Sequence, residues 1–171
     1  MTTADDRITP PEHLTARHDV SAFNSGEPVL DDWLRKRALA NEESGASRTY
    51  VVTARGRVVG FYALAMGSVA ADRATGKIRR NMPDPIPVMI LGRLAVDTAF
   101  QKRGLGVALL RDAVLRTQQA ANIAGIRAIL LHAVSDGAKR FYERYGFAES
   151  PMHPMTLMIS MTDVNHILAG K

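Results

Sequence analysis

The segment Gln101-Lys102-Arg103-Gly104-Leu105-Gly106 lies between an apolar run and a stretch with helical spacing. Its two glycines let backbone amides come close to a ligand, and the unpaired N–H groups that open a helix carry partial positive charge. Lys102 and Arg103 add full charge beside them, so the segment suits a pyrophosphate. It is not the dinucleotide-binding fingerprint, because Leu109 stands where the third glycine belongs, and no Gly-Lys-Ser/Thr follows to make a Walker loop. A tight strand-to-helix turn also uses glycine. The strand-loop-helix context and the adjacent basic pair are what favour an anion site.

Charge is concentrated near this segment. From Arg73 to Arg103 there are seven basic residues against Asp84 and Asp97, which accounts for the whole net charge of +5. An anionic ligand, a nucleic acid or an acidic partner is implied. Arg79 and Arg80, with Lys77 and Arg73, form a cluster whose contacts to RNA phosphate would give salt-dependent affinity. Arg93 stands inside the apolar run Val88–Val96, where a charge must be paired or open onto a cleft. An ion pair with Asp84 or Asp97 and a contact to substrate phosphate or the acceptor end of RNA are both open.

Other chemistries are excluded by residue type. There is no Cys, so disulfides, thiolate nucleophiles and Cys-bound metal are absent. The five histidines do not cluster at metal-ligand spacing, and no metal is expected. Ser135-Asp136 lacks the Gly-x-Ser-x-Gly elbow of a serine hydrolase. No apolar run approaches the ~20 residues of a membrane helix, and Met1–Leu14 has no apolar stretch. A cytoplasmic location is the expectation.

The elements that position these residues are legible from pattern. At 171 residues and 46% hydrophobic, the chain has enough to bury a core as one compact domain. Residues 1–14 read as a loose tail. Glu27–Ser44 reads as a helix with Pro28 in its first turn, a stripe of Leu30, Trp33, Leu34 and Ala38, and Gly45 at its end. Arg48–Ala54 and Arg57–Leu64 flank the short turn Arg55–Gly56, which predicts a hairpin. Gly67–Pro87 is basic and Pro-rich, so it reads as a loop or extended arm. Val88–Val96 reads as a strand buried on both faces, and Leu105–Ile123 as a helix. Ile126–Ala133 is a further strand, and Ser135–Tyr145 a short helix capped by Ser135 and ended by Gly146. Phe147–Ser150 and Met155–Met161 complete a mixed α/β fold with helices on the faces of the sheet.

The stretch LGRLAVDTAFQKRGLGVALL resembles the acyl-CoA-binding motif of the GNAT N-acetyltransferase superfamily. Gln101, Gly104 and Gly106 fill the Gln/Arg-x-x-Gly-x-Gly/Ala pattern. Ala138-Lys139-Arg140-Phe141-Tyr142-Glu143-Arg144-Tyr145-Gly146-Phe147 is similar to the family's downstream signature. The resemblance narrows with Ser25-Gly26-Glu27-Pro28, with Asp31, Trp33 and Leu34, and with Arg79-Arg80-Asn81-Met82-Pro83-Asp84-Pro85-Ile86-Pro87. These resemble the tRNA-acetylating toxins of bacterial toxin–antitoxin modules, over about Val20 to Met161.

The resemblance implies a GNAT fold and acetyl-CoA as cosubstrate. Leu94, Ala95 and Val96 would face its pantetheine arm, and Gln101 to Gly106, with Lys139, would hold the rest. It implies acetylation of the α-amino group of aminoacyl-tRNA, with Lys77, Arg79, Arg80 and Arg93 toward the RNA. Tyr142 takes the place of the general acid that protonates the departing thiolate, although a tyrosine in apolar surroundings also serves as core. No side chain stands out as a general base. That suits an α-amine, whose pKa of about 7.7–8.0 leaves much of it neutral, better than a lysine near ~10.4. A ribbon-helix-helix antitoxin and a homodimer are further implications. An acetyltransferase for a protein or small-molecule amine, and a non-catalytic RNA-binding protein of the same fold, are the alternative readings.

Overall fold

The computed structural model describes residues 7–169. The chain forms two compact units, Met1–Ala65 with Arg93–Asp112 and Met66–Gly92 with Ala113–Lys171.

The strands are β1 Glu12–His13, β2 Arg48–Ala54, β3 Arg57–Val69, β4 Ile86–Val96, β5 Ala128–His132, β6 Ala148–Glu149 and β7 Thr156–Ser160. The helices are α1 Pro28–Lys36, α2 Ala38–Ser44, α3 Gly76–Arg79, α4 Leu105–Ala121, α5 Asp136–Arg144 and α6 Asn165–Leu168. The strands form one seven-stranded sheet in the order β1-β2-β3-β4-β5-β7-β6. β4 and β5 are parallel, whereas β1/β2, β2/β3, β5/β7 and β6/β7 are antiparallel. This is the mixed α/β architecture that the alternation of patterns implies.

In the first unit, Leu30, Leu34 and Ala38 pack on Val51, Val58, Phe61 and Ala95. A fully buried leucine of this kind contributes roughly 1.5–3 kcal/mol. Pro28 opens α1, as expected, but the expected single helix is two, because Arg37 leaves helical geometry at φ −124°. Gly45, at φ +82°, ends α2 in the left-handed conformation that glycine adopts without strain. The hairpin turns through Arg55 and Gly56, both at positive φ, and β3 runs five residues further than the pattern indicated.

The N-terminal segment departs from the loose tail expected. Residues 1–6 lie outside the described residues, but Thr9 N donates to the Thr53 carbonyl and β1 pairs with Tyr50 and Val51. Leu14 is buried.

In the second unit, Ile78, Ile86 and Val88 pack with Val69, Ala74, Ala128 and Met158. The Pro-rich arm is more regular than the sequence suggested, since it contains a 3-10 turn at Ala71–Arg73 and the short α3. Pro87 belongs to β4, contrary to expectation. It is the second residue of the strand, where a missing N–H disturbs the ladder least, and its carbonyl still accepts from Arg127 N. Gly67 permits a close approach: a Cβ there would lie 2.4 Å from Ile90 Cδ1.

Candidate active site

β4 carries the first part of the site. Its parallel register with β5 covers Val88–Ile90 against Ala128–Leu130. Past it, Gly92, Arg93 and Leu94 are half-buried, while Ala95 and Val96 are buried. The strand is therefore not buried along both faces throughout, as its apolar run implied. Of the three residues that the resemblance assigns to the ligand-facing edge, Leu94 lies in this half-buried stretch, whereas Ala95 and Val96 are buried.

Of the readings left open for Arg93, the ion pair with Asp84 or Asp97 is not formed. Asp97 accepts from the amides of Asn24 and Ala99, and Asp84 from that of Ala71. The Arg93 guanidinium instead lies over the Trp33 ring, 4.4 Å from its centroid. Burial pushes its pKa below the ordinary arginine value, the expected sign for a cation removed from water without a carboxylate.

The Gly loop is built by local clasps. After β4, Asp97 caps a 3-10 turn at Thr98–Phe100. The side-chain amide of Gln101 donates to the carbonyls of Ser25 (2.9 Å) and Val96 (2.8 Å). Gln101 thus ties the end of the strand to the segment before α1, and it orients the loop rather than presenting its amide to a ligand. Lys102 and Gly104 follow at φ +65° and +82°. A non-glycine residue there is strained by about 1 kcal/mol or more, and such strain gathers at ligand sites. Lys102, Arg103 and Gly104 are exposed, and Leu105 and Gly106 are half-buried at the start of α4. The first amides of that 17-residue helix have no intrahelical acceptor. Unpaired amides, absent side chains and two exposed cations make this loop fit a pyrophosphate.

The second unit carries the expected acid. Ser135 accepts from Ala138 N and caps α5, as its position in sequence implied. Tyr142 is 7% exposed. Its ring meets Phe141 and Phe147 edge-on, at centroid distances of 5.1 and 5.6 Å. Burial pushes the phenol well above its ordinary value of 10. Among the described residues its hydroxyl has no hydrogen-bond partner, so its packing employs the ring. Tyr145 meets Phe141 edge-on and closes the same aromatic cluster.

The basic residues of this unit divide. Arg79 and Arg80 are exposed at the end of α3. Lys77 is paired with Asp163 at 2.8 Å and holds that carboxyl below its usual range. Lys139 is paired with Glu149 at 2.5 Å, which raises the lysine's pKa. Lys77 was expected to face the RNA and Lys139 the cosubstrate, and both ammonium groups are engaged by carboxylates. Acidic partners 86 and 10 residues away in sequence gave no signal in the motifs.

Sequence reasoning also missed the lining of a cleft beside the loop, to which Phe100, Arg55 and Arg57 belong. The signal was present in the hairpin turn, where arginine occupies a position that favours Asn, Asp or Gly. Among the described residues no group of His, Asp and Glu could hold a metal ion.

A family model described as an acetyltransferase (GNAT) domain matches residues 45–149. A tRNA-acetylating toxin of Mycobacterium tuberculosis (strain ATCC 25618 / H37Rv) is 55% identical over 158 residues, covering 92% of this chain and 95% of that protein. The structure of AtaT complexed with acetyl-methionyl-tRNAfMet is similar at 25% identity and TM-score 0.85, covering 93% of this chain and 98% of that one. That of AtaTR bound with AcCoA is similar at 27% identity and TM-score 0.80, covering 94% and 97%. With its Gly loop, its opened strand and its buried phenol inside or beside the matched span, the chain belongs to the GNAT acetyltransferase family.

Proposed function

We propose that this protein transfers the acetyl group of acetyl-CoA to the α-amino group of aminoacyl-tRNA and so blocks translation, as a toxin. The observation that carries the reading is the 55% identity to a tRNA-acetylating toxin across 92% of the chain. The residues supply what the chemistry requires.

The loop amides from Gly104 to Gly106, with Lys102 and Arg103, bind the pyrophosphate of the donor, and the backbone of Leu94–Val96 orients its pantetheine arm. The α-amine, whose pKa of about 7.7–8.0 leaves much of it neutral, attacks the thioester carbonyl directly. As the C–N bond forms and the C–S bond breaks, the electron pair moves to sulfur, and Tyr142 delivers a proton to it. A phenol held above its ordinary pKa keeps that proton throughout the physiological range. The proton lost by the amine leaves to solvent. Arg79, Arg80 and Arg93 contact the acceptor RNA.

The chain acts as one catalytic domain in the cytoplasm, where charged tRNA is found. It pairs as a homodimer and is restrained by a ribbon-helix-helix antitoxin, as the resemblance of its motifs implies. No helix among the described residues is long and apolar enough to cross a membrane.

The test is transfer from labelled acetyl-CoA into charged tRNA, deacylated tRNA and a mixed protein substrate, with Tyr142→Phe alongside. Label that enters charged tRNA alone, and is nearly lost in the variant, supports the reading. Label in protein or in deacylated tRNA overturns it.

A further inference from the structure

Asp31, in the first turn of α1, carries a carboxylate that is only 4% exposed, and among the described residues no cation pairs with it. A buried charge without a counter-ion is costly unless hydrogen bonds compensate it. Here both oxygens accept from the Ser25 amide, at 3.1 and 3.2 Å, and one also accepts from the Ser25 hydroxyl at 2.6 Å. That hydroxyl in turn accepts from Glu27 N at 3.2 Å. None of these bonds reaches the free amides that open α1, whose N-cap Glu27 has no side-chain cap. The charge of Asp31 is committed to one residue outside its own helix.

Ser25 belongs to a short irregular strap, and every carbonyl from Phe23 to Ser25 is taken. Phe23 accepts from Arg35 Nη1 at 2.6 Å, Asn24 from Thr98 N at 2.8 Å, and Ser25 from Gln101 Nε2 at 2.9 Å. The Asn24 amide donates to Asp97 Oδ2 at 3.1 Å. Two side chains of α1, Arg35 and Asp31, therefore grip the strap from one side. On the other it meets Asp97, Thr98 and Gln101, the residues that lead into the pyrophosphate loop. All of them lie in the first unit.

Gln101 immediately precedes Lys102, which stands at φ +65°. A strained residue keeps its conformation only where its surroundings over-determine it. The Gln101 amide has two acceptors to hold it. The Val96 carbonyl is fixed by its strand, whereas the Ser25 carbonyl lies on irregular backbone and takes its position from the bonds to Asp31. Hydrogen bonds to an ionised acceptor are shorter and about twice as strong as neutral ones, so a carboxylate sets Ser25 more firmly than an amide would. We infer that Asp31 is a positioning residue for the acyl donor: through Ser25 and then Gln101 it sets the conformation of the loop that holds the pyrophosphate. This rests on acetyl-CoA being the donor and on that loop binding it.

The experiment is a double-mutant cycle read by calorimetric titration of the full chain with acetyl-CoA. Asp31→Asn and Ser25→Ala are each made in the unaltered protein and in Gln101→Met. Residues that act through one another give non-additive losses, whereas independent effects on the fold add. Each of the two substitutions should weaken acetyl-CoA binding about tenfold when Gln101 is present, and less than about threefold when it is methionine. Ser25→Ala keeps the backbone bonds of the strap, so it decides the matter should Asp31→Asn fail to fold. An equal loss in both backgrounds would make Asp31 a residue of the fold alone and overturn the inference, as would undiminished binding by both variants. An unaltered protein that binds acetyl-CoA and shows the expected cycle, yet fails to acetylate charged tRNA, would leave the inference standing and remove the proposed acceptor. Failure of the unaltered protein to bind acetyl-CoA would remove the donor and the inference together.

Discussion

Arg93 rests on Trp33, and Trp33 lies nearly parallel to Phe61, with an interplanar angle of 11° and centroids 6.1 Å apart. A cation is thus held on an aromatic face that is itself anchored in the core of the first unit, and among the described residues no carboxylate pairs with it. A cation–π contact of this kind is worth about 1 kcal/mol. We expect Arg93→Met to change thermal stability by no more than about 1 kcal/mol, because the stem still covers the indole. The same substitution should raise the KM for aminoacyl-tRNA about tenfold or more, by loss of one charge-assisted contact. Trp33→Leu should do the reverse in emphasis, costing about 2 kcal/mol in denaturant unfolding through lost packing. Calorimetry and initial rates on both variants separate the two effects.

Tyr142→Phe should retain the fold, since the ring and its edge contacts with Phe141 and Phe147 remain. Turnover should fall about 10²–10⁴-fold, the range for loss of a general acid. The pH profile follows from the raised phenol pKa. The phenol stays protonated above its ordinary titration point, so kcat/KM should show no basic decline up to pH 9, and its acidic limb should follow the amine near pH ~7.7–8.0. Stability has a matching sign: the native phenol keeps a proton that the unfolded one loses above about pH 10, so alkali beyond that point favours unfolding. The Phe variant lacks this contribution, which alkaline denaturation curves would reveal.

Gln101→Glu should weaken acetyl-CoA binding about tenfold. Its carboxylate would face the Ser25 and Val96 carbonyls, which now accept from the amide, and two acceptors left unpaired against a charge cost about 1–3 kcal/mol. Gln101→Met, neutral and similar in length, should fall between the two. Titration with acetyl-CoA measures both.

The basic arm divides into cations held by partners and cations that are exposed. Arg79→Gln and Arg80→Gln should each lower the salt dependence of aminoacyl-tRNA binding by about 0.7–0.9 in log K against log salt. Lys77→Gln should have a smaller effect, because its ammonium is engaged by Asp163. Binding isotherms from low to moderate salt check the ranking.

Features encoded within a few residues were legible in the sequence. The Gly104–Gly106 loop, the Ser135 cap and the Arg55–Gly56 turn each depend on local backbone preferences, and each lies where its residue types imply. Features decided by partners distant in sequence were not. The break at Arg37 and the pinning of Thr9 against Thr53 depend on packing and register outside those segments. The same holds for the site. The residues of the anion loop were evident from type and spacing, whereas the engagement of Lys77 and Lys139 depended on acidic partners that no motif contains. Arg93 was recognisable as anomalous, but its aromatic support was not, because Trp33 reads as one more member of an apolar stripe.

Arg127 donates to the carbonyls of Ile78 and Lys77, at 3.3 and 3.1 Å. Those carbonyls belong to a helix of a single turn, which could not close its own C-terminal end. The segment bearing Arg79 and Arg80 is therefore set before any ligand arrives, and little configurational freedom is left to surrender on contact. A surface prepared in this way associates without an ordering step. Removing Arg127 would then act as an entropic lesion: the phosphate contacts proposed for Arg79 and Arg80 would remain chemically available, yet the ensemble able to make them together would be diluted.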